Sequence, residues 1–225
     1  MKNSFLCLAL TLFASTDVFS RQLSKLELNL SADTYFVARD QFSYFILAQT
    51  FEVQYNQDAT PRTHPSLGLR YFITDRLSLK SGLRYYDFGH KSDRFQINLT
   101  PPAIQSSHRY KAHFLSIPIG ADFRFINRKF FSYVGASMLM DIYFGETSDE
   151  PEFESIDGLD WRTINASAFA NLGLGYQFSE TFSFSIEPYA TIPLHDYMIE
   201  EDFFSVRDIK PFRLGLQAGL NYRFQ

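Results

Sequence analysis

Phe212 to Gln225 reads FRLGLQAGLNYRFQ, and this stretch decides the fold. In an extended chain Leu214, Leu216, Ala218, Leu220, Tyr222 and Phe224 fall on one side, and Arg213, Gly215, Gln217, Gly219, Asn221 and Arg223 on the other. That is the period of two that belongs to a strand. One face is apolar and ends in aromatics, while the other carries charge and glycine. Such a strand suits a β-barrel that turns its apolar side to lipid and its polar side inward.

Composition agrees with that reading. Phe at 25 and Tyr at 13 make the chain 17% aromatic, and aromatics favour strands and membrane interfaces. A net charge of -4 gives no global basic footprint, which argues against nucleic acid as a partner. Met1 to Ser20 has the pattern of a signal peptide: Lys2, an apolar run from Phe5 to Ala14, and a small-residue end at Ser20. Residues 21–225 then form the barrel domain. Cys7 lies inside the leader and is the chain's one cysteine, so the mature chain has no thiol for a disulfide, for catalysis or for a metal site. Outside the leader, no apolar run reaches the length of a transmembrane helix.

Working upstream from the C-terminus, Ile209 to Phe224, Phe182 to His195, Trp161 to Phe178, Phe130 to Phe144, Ala112 to Phe125, Leu77 to Phe88 and Pro65 to Thr74 read as seven strands. Short connections near Thr74-Asp75-Arg76, Asn127-Arg128 and Ser179-Glu180 alternate with longer ones at Gly89 to Lys111, Gly145 to Asp160 and Asp196 to Asp208. Short turns on one side and long loops on the other are the habit of bacterial barrels, whose strand number is even. An eighth strand is therefore needed, and Leu26 to Ala38 alternates more cleanly than Phe42 to Tyr55. Arg39 to His64 then becomes the first outer loop, with room for a β extension of its own. The expected fold is all-β: an eight-stranded antiparallel up-and-down transmembrane barrel with short periplasmic turns.

The alternation places Leu79, Ile119, Val134, Met138, Leu172, Phe184 and their neighbours outward. The opposite face collects Glu27, Asp33, Asp122, Asp141 and Glu187 with Arg70, Lys80, Arg84, Arg124, Arg213 and Arg223. Isolated buried charge is costly, so acids and bases sharing a narrow interior are expected to pair as a lumen network. Eight strands enclose a space that side chains fill, so no open pore is expected. Glycines 82, 120, 135, 173, 175, 215 and 219 are expected to leave room for Arg and Lys arms. Tyr71, Phe72, Phe123, Phe125, Phe130, Phe131, Tyr176, Phe178, Phe182, Phe184, Tyr222 and Phe224 are expected to form the periplasmic girdle.

Gly82-Leu83-Arg84-Tyr85 with Gly89, Leu115-Ser116-Ile117-Pro118-Ile119 leading to Phe123-Arg124-Phe125, and the aromatic last strand resemble the PorT-like outer-membrane β-barrel family over roughly the whole mature chain. The resemblance implies residence in a Gram-negative outer membrane. Some members of that family are tied to protein secretion. Partners implied are outer-membrane lipid and lipopolysaccharide, the barrel-assembly machinery, and envelope or secretion proteins.

Chemistry-bearing residues are sparse, and no cofactor is expected. Glu146, Asp149, Glu150, Glu152, Glu154, Asp157 and Asp160 make an acidic loop that could hold Ca²⁺ or Mg²⁺, though a solvated loop accounts for it better. Lys91, Arg94, Arg109 and Lys111 make a basic loop, suited to lipopolysaccharide phosphates or, the reading favoured from sequence, to the acidic loops of the same barrel. Asp196, Glu200, Glu201, Asp202 and Asp208 make the fourth loop acidic as well. Two alternatives stand beside a structural or interaction role. One is a lipid- or lipopolysaccharide-modifying hydrolase using His195, Asp196 and Ser205, with His113 a second strand-end histidine. The other is a soluble lipid carrier with the same alternation turned inside out.

Overall fold

The computed structural model describes residues 25–37, 41–45, 51–57, 61–96, 103–148, 159–200 and 211–224. The leader expected at Met1 to Ser20 lies outside them. The elements are β1 (Leu26–Val37), β2 (Gln41–Phe45), β3 (Phe51–Gln57), β4 (Arg62–Phe72), β5 (Leu77–Gln96), β6 (Ala103–Asn127), β7 (Phe130–Ser148), β8 (Leu159–Trp161), β9 (Ile164–Gln177), β10 (Phe182–Pro193), β11 (Met198–Glu200) and β12 (Arg213–Arg223).

Eight of these close into an antiparallel barrel in the order β1, β4, β5, β6, β7, β9, β10, β12, with β12 pairing back onto β1. The first wall strand is β1, and the closing register runs from Glu27 opposite Arg223 to Val37 opposite Arg213. The short turns are built locally. Thr74 Oγ1 accepts the backbone N–H groups of Arg76 and Leu77 at 3.2 and 2.9 Å. Ser179 Oγ does the same for Thr181 and Phe182 at 3.3 and 2.9 Å. A hydroxyl that folds back onto the next residues makes a tight reversal without glycine.

Beyond the membrane the strands differ from the sequence reading. β5, β6 and β7 run on to Gln96, back to Ala103 and on to Ser148, through positions assigned to loops. Phe42 to Tyr55 spans a hairpin, β2 with β3, and β3 pairs with the upper part of β5 from Gln57 opposite His90 to Phe51 opposite Gln96. The lower part of the same β5 edge belongs to β4, from Phe72 opposite Ser78 to Ser66 opposite Arg84. Residues 85–89 fall between the two ladders. There the Tyr35 hydroxyl reaches across, donating to the Asp87 carbonyl at 2.6 Å and accepting the Asp87 N–H at 2.9 Å. One side chain thus satisfies backbone groups that a neighbouring strand would otherwise pair.

The barrel is inverted relative to a water-soluble fold. Leu30, Ile119, Leu174, Ile192 and Leu214 are more than half exposed, whereas Glu27, Asp33, Asp122 and Asp141 are buried. That arrangement fits a wall surrounded by lipid and excludes the soluble carrier, which would reverse it. The girdle aromatics Phe123, Phe125, Phe130, Phe178, Phe182 and Phe184 face outward near the short turns. Phe72 and Phe131 depart from that expectation. They point inward, because their parity on β4 and β7 is that of Arg70 and Tyr133.

Leu216 is outward and Gln217 is inward, where its side-chain oxygen accepts from Arg84 at 3.1 Å. Leu216→Arg and Leu220→Arg are each expected to cost ~2–4 kcal/mol of unfolding free energy in lipid vesicles, as charge near the bilayer midplane does. Gln217→Glu, whose carboxylate meets Arg84, is expected to cost less. Urea titration in vesicles decides, and equal losses at the three positions would refute the face assignment.

Candidate functional site

The inner wall of the barrel carries most of the polar and charged side chains, and alternation on each strand puts the charges there. Glu27, Asp33, Arg70, Lys80, Arg84, Asp122, Arg124, Asp141, Glu187 and Arg213 all point into the lumen, and the structure joins them into layers.

Arg70 is the hub of the lower layer. Its guanidinium donates to Glu27 at 2.5 Å and to Asp122 at 2.8 Å, and lies 3.6 Å from Glu187. Lys80 reaches the other oxygen of Asp122 at 2.6 Å and donates to Asn171 at 2.7 Å. Asn171 in turn donates to Glu187, which also accepts the Tyr133 hydroxyl. Below, Arg124 pairs with Glu27 at 3.3 Å and lies between the rings of Phe72 and Phe131, 4.5 and 4.6 Å from their centroids. Arg223 stacks on the same Phe72 ring at 4.6 Å. The two inward phenylalanines thus serve as faces for cations.

Above, Arg84 donates to Asp33 at 2.5 Å, and Asp33 accepts the Tyr189 hydroxyl at 2.6 Å. The Phe169 ring links the layers, with Lys80 at 5.1 Å and Arg84 at 4.8 Å. Higher again, Arg213 pairs with Asp141 at 3.3 Å and covers the Tyr86 ring at 3.8 Å, while Tyr197 and Ser167 donate to the same carboxylate. Tyr35, Val37, Tyr86, Phe88, Phe114, Leu139, Trp161 and Tyr197 then form an apolar plug at the outer mouth. Two outer loops contribute to it. Trp161 packs edge-on to Phe88 and Phe114, and the strands β8 and β11 that flank the plug pair Trp161 with Met198.

The cavities lined by described residues are small. A cavity of about 50 Å³ lies beside Lys80, Arg84 and Gln217, and another of about 10 Å³ lies among Asp33, Tyr86, Ser116 and Arg213. Both are lined by polar and apolar groups together. The glycines make room chiefly for rings rather than for the expected cationic arms. A Cβ on Gly173, Gly175 or Gly215 would collide with Tyr133, Phe131 or Tyr189, each directly across the ladder. Gly135, where Asp122 and Lys80 crowd in, keeps the expected pattern.

The tyrosine hydroxyls are the part of the network that charge-counting misses. Tyr133 and Tyr189 were recoverable by parity, since they alternate with Val134 and Ala190. Tyr197 sits in a loop, and no period points to it.

Of the His195, Asp196 and Ser205 constellation, the described part is not arranged as a catalytic pair. His195 Nε2 accepts the Ala166 N–H at 3.0 Å, so its Nδ1 carries the proton and donates to the Asp196 carbonyl at 3.0 Å. Both ring nitrogens hold backbone, and the Asp196 carboxylate is not the group that orients them. Ser205 lies outside the described residues. His113 meets the Tyr85 hydroxyl and Thr147 at 2.7 and 3.0 Å. In the acidic loop Glu146 accepts the Trp161 indole N–H at 2.8 Å. Burial pushes its carboxyl up, and that hydrogen bond draws it partly back. Positions 149–158 lie outside the described residues, and among the described ones no three His, Cys, Asp or Glu gather as a metal site.

Removing one partner of a buried pair strands the other. Arg84→Met alone is expected to destabilise the barrel by about 3–5 kcal/mol, whereas Arg84→Met with Asp33→Leu restores most of the loss. Unfolding in vesicles measures both, and a double variant no more stable than the single one would show that the pair is not the unit.

The chain is similar to several solved structures at low sequence identity. OprG of Pseudomonas aeruginosa aligns at a TM-score of 0.49 and 13% identity, over 87% of this chain and 94% of that one. Neisserial surface protein A aligns at 0.48 and 11%, over 89% and 97%, and outer membrane protein W of E. coli at 0.46 and 17%, over 88% and 97%. No curated protein matches. The family model of the outer membrane protein beta-barrel domain matches residues 42–225, so the chain belongs to that family and is a β-barrel of the Gram-negative outer membrane.

Proposed function

We propose that this barrel is a structural and interaction protein of the PorT-like kind, accessory to protein secretion or envelope assembly. The observation that carries the reading is a contrast between its two halves. Within the membrane the lumen is packed with paired charges and stacked rings, and the cavities lined by described residues are about 50 and 10 Å³. Outside, β5, β6 and β7 rise beyond the lipid with the β2–β3 hairpin at their side, forming a broad sheet. Space for transport is small, and surface for contact is large.

The outer edge of β2 has no ladder partner among the described residues, and its sequence QFSYF contains neither charge nor proline. Those are the devices that normally blunt a sheet edge. An extended segment of a partner protein could add there as a further strand. Hydrolysis of lipid finds less support, because His195 has both nitrogens engaged by backbone.

In planar bilayers the purified chain is expected to give no steady conductance, and a stable open channel would sink the filled-lumen reading. Deleting residues 42–57 should leave a barrel that still shifts on a gel when boiled, yet remove its co-isolation with secretion or envelope components. Unchanged co-isolation would overturn the role given to the outer sheet.

A further inference from the structure

We propose that one arc of the periplasmic rim, formed by the β4–β5 and β6–β7 turns with the start of β1, binds the headgroups of anionic phospholipids in the inner leaflet of the outer membrane.

Lys25 precedes β1, Arg76 closes the β4–β5 turn, and Arg128 and Lys129 make the β6–β7 turn. Hydrogen bonds join these points into one continuous arc. The Phe72 N–H donates to the Lys25 carbonyl at 2.8 Å, the Arg124 N–H to the Arg76 carbonyl at 2.7 Å, and the Asn127 side chain to the Asp75 carbonyl at 3.1 Å. The Gln177 N–H donates to the Lys129 carbonyl at 2.7 Å, where the arc reaches β9.

The arc is positive, and nothing described in the barrel offsets it. Lys25, Arg76, Arg128 and Lys129 are all exposed, and among the described residues none of these side chains enters an ion pair. Asp75 is the one exposed acid among the described residues of the arc, and Glu180 lies on the next turn, between β9 and β10. The lumen cations Arg70, Lys80 and Arg84 differ in this respect, since each of them meets a carboxylate of the same barrel.

The wall next to these cations is apolar in an unusual degree. The β6–β7 ladder shifts register between Arg124 and Ile126, a bulge that leaves Phe125 without a partner in it. Phe125 and Ile126 are then both turned outward, at 50% and 48% exposure, where strict alternation would hide one of them. Phe130 follows Lys129 directly and is 71% exposed, and Ile73 is exposed in the neighbouring turn. A rise of ~3.3 Å per residue keeps Arg128 within about 10 Å of Phe125. A headgroup layer of about that thickness covers the hydrocarbon. Lysine and arginine rest their stems on apolar surface and hold their charge at headgroup height, so cations beside these rings meet lipid phosphates at one level.

That position selects the ligand. The guanidinium fork donates to two phosphate oxygens at once, and lysine adds a point charge. A zwitterionic headgroup carries an ammonium of its own, which the same cations repel. A headgroup with net negative charge does not.

Native mass spectrometry of the full chain, folded in detergent, tests the site with three probes: phosphatidylglycerol, phosphatidylcholine with the same acyl chains, and glycerol phosphate. A cation beside an anionic lipid surface contributes a factor of about five, so phosphatidylglycerol should bind about tenfold or more tightly than phosphatidylcholine. Arg128→Gln with Lys129→Gln should lower that preference to about twofold or less. Lys111→Glu, an equal change in net charge at the outer end, should leave it intact. Equal binding of the two lipids by the unaltered chain would overturn the site in favour of an acidic protein partner. Full preference in the double variant, or the same loss in Lys111→Glu, would overturn the arc as its location. Complete displacement by glycerol phosphate would overturn the lipid in favour of a free anion. The comparison of lipids needs no variant, so it remains decisive even where a substitution impairs folding.

Discussion

Everything in this molecule depends on the pairing of the first strand with the last. In hydrocarbon a backbone N–H or C=O without a partner costs several kcal/mol, so an open sheet edge is not tolerated there. The ladder from Glu27–Arg223 to Val37–Arg213 removes the edge, and in doing so it sets the size of the space inside. Eight strands leave a lumen about as wide as the side chains that line it. Closure thus dictates the chemistry of the interior, since whatever points inward must pack, and whatever is charged must find its opposite.

The lumen meets that demand in layers rather than by isolated bridges. Arg70 serves Glu27, Asp122 and Glu187, and each acid has another donor: Arg124, Lys80, and the Tyr133 hydroxyl with the Asn171 amide. A carboxylate has several lone pairs to satisfy, so a single cation would leave it undersupplied in a place that water scarcely reaches. The tyrosines solve a second problem as well. Tyr133 and Tyr189 lie across the ladder from Gly173 and Gly215, so each ring covers a backbone that lacks a side chain while its hydroxyl reaches a buried acid. Packing and hydrogen bonding are met by one residue.

The sequence shows the membrane part of this design well and the outer part poorly, for a physical reason. Period-two hydrophobicity records the contrast between lipid and lumen. It is plain from Leu77 to Tyr85, where that contrast exists, and it marks the eight wall strands and the face that bears their charges. It vanishes above Asp87, because both faces of β5 there are polar or mixed, yet the backbone ladder continues to Gln96. A ladder that persists without an apolar face leaves little trace in composition, and so the extensions resemble loops. Trp161 shows the opposite error: its apolar character suggests a wall strand, but its ring belongs to the plug. Tyr35 keeps the inward parity of Asp33, but its bonds to Asp87, like the placement of Tyr197, depend on contacts between distant segments and leave no local pattern.

Parity continues to carry information after hydrophobicity has ceased to. Because the β5–β6 register is unbroken through the boundary, the face that met lipid at Leu83 is the face that bears Lys111 and Arg109 two and three rows above the Tyr85 row. Composition treats those bases as a polar loop, free to turn toward any acid nearby. The strand fixes the direction in which each leaves the backbone, since a residue on a paired strand changes face only if the ladder slips by one residue, and such a slip would turn every leucine below it into the lumen. The hydrophobic requirement within the membrane therefore fixes the direction of charges outside it. On the inner side of the same wall lie the aromatic anchors Trp161 and Tyr197 of the loops.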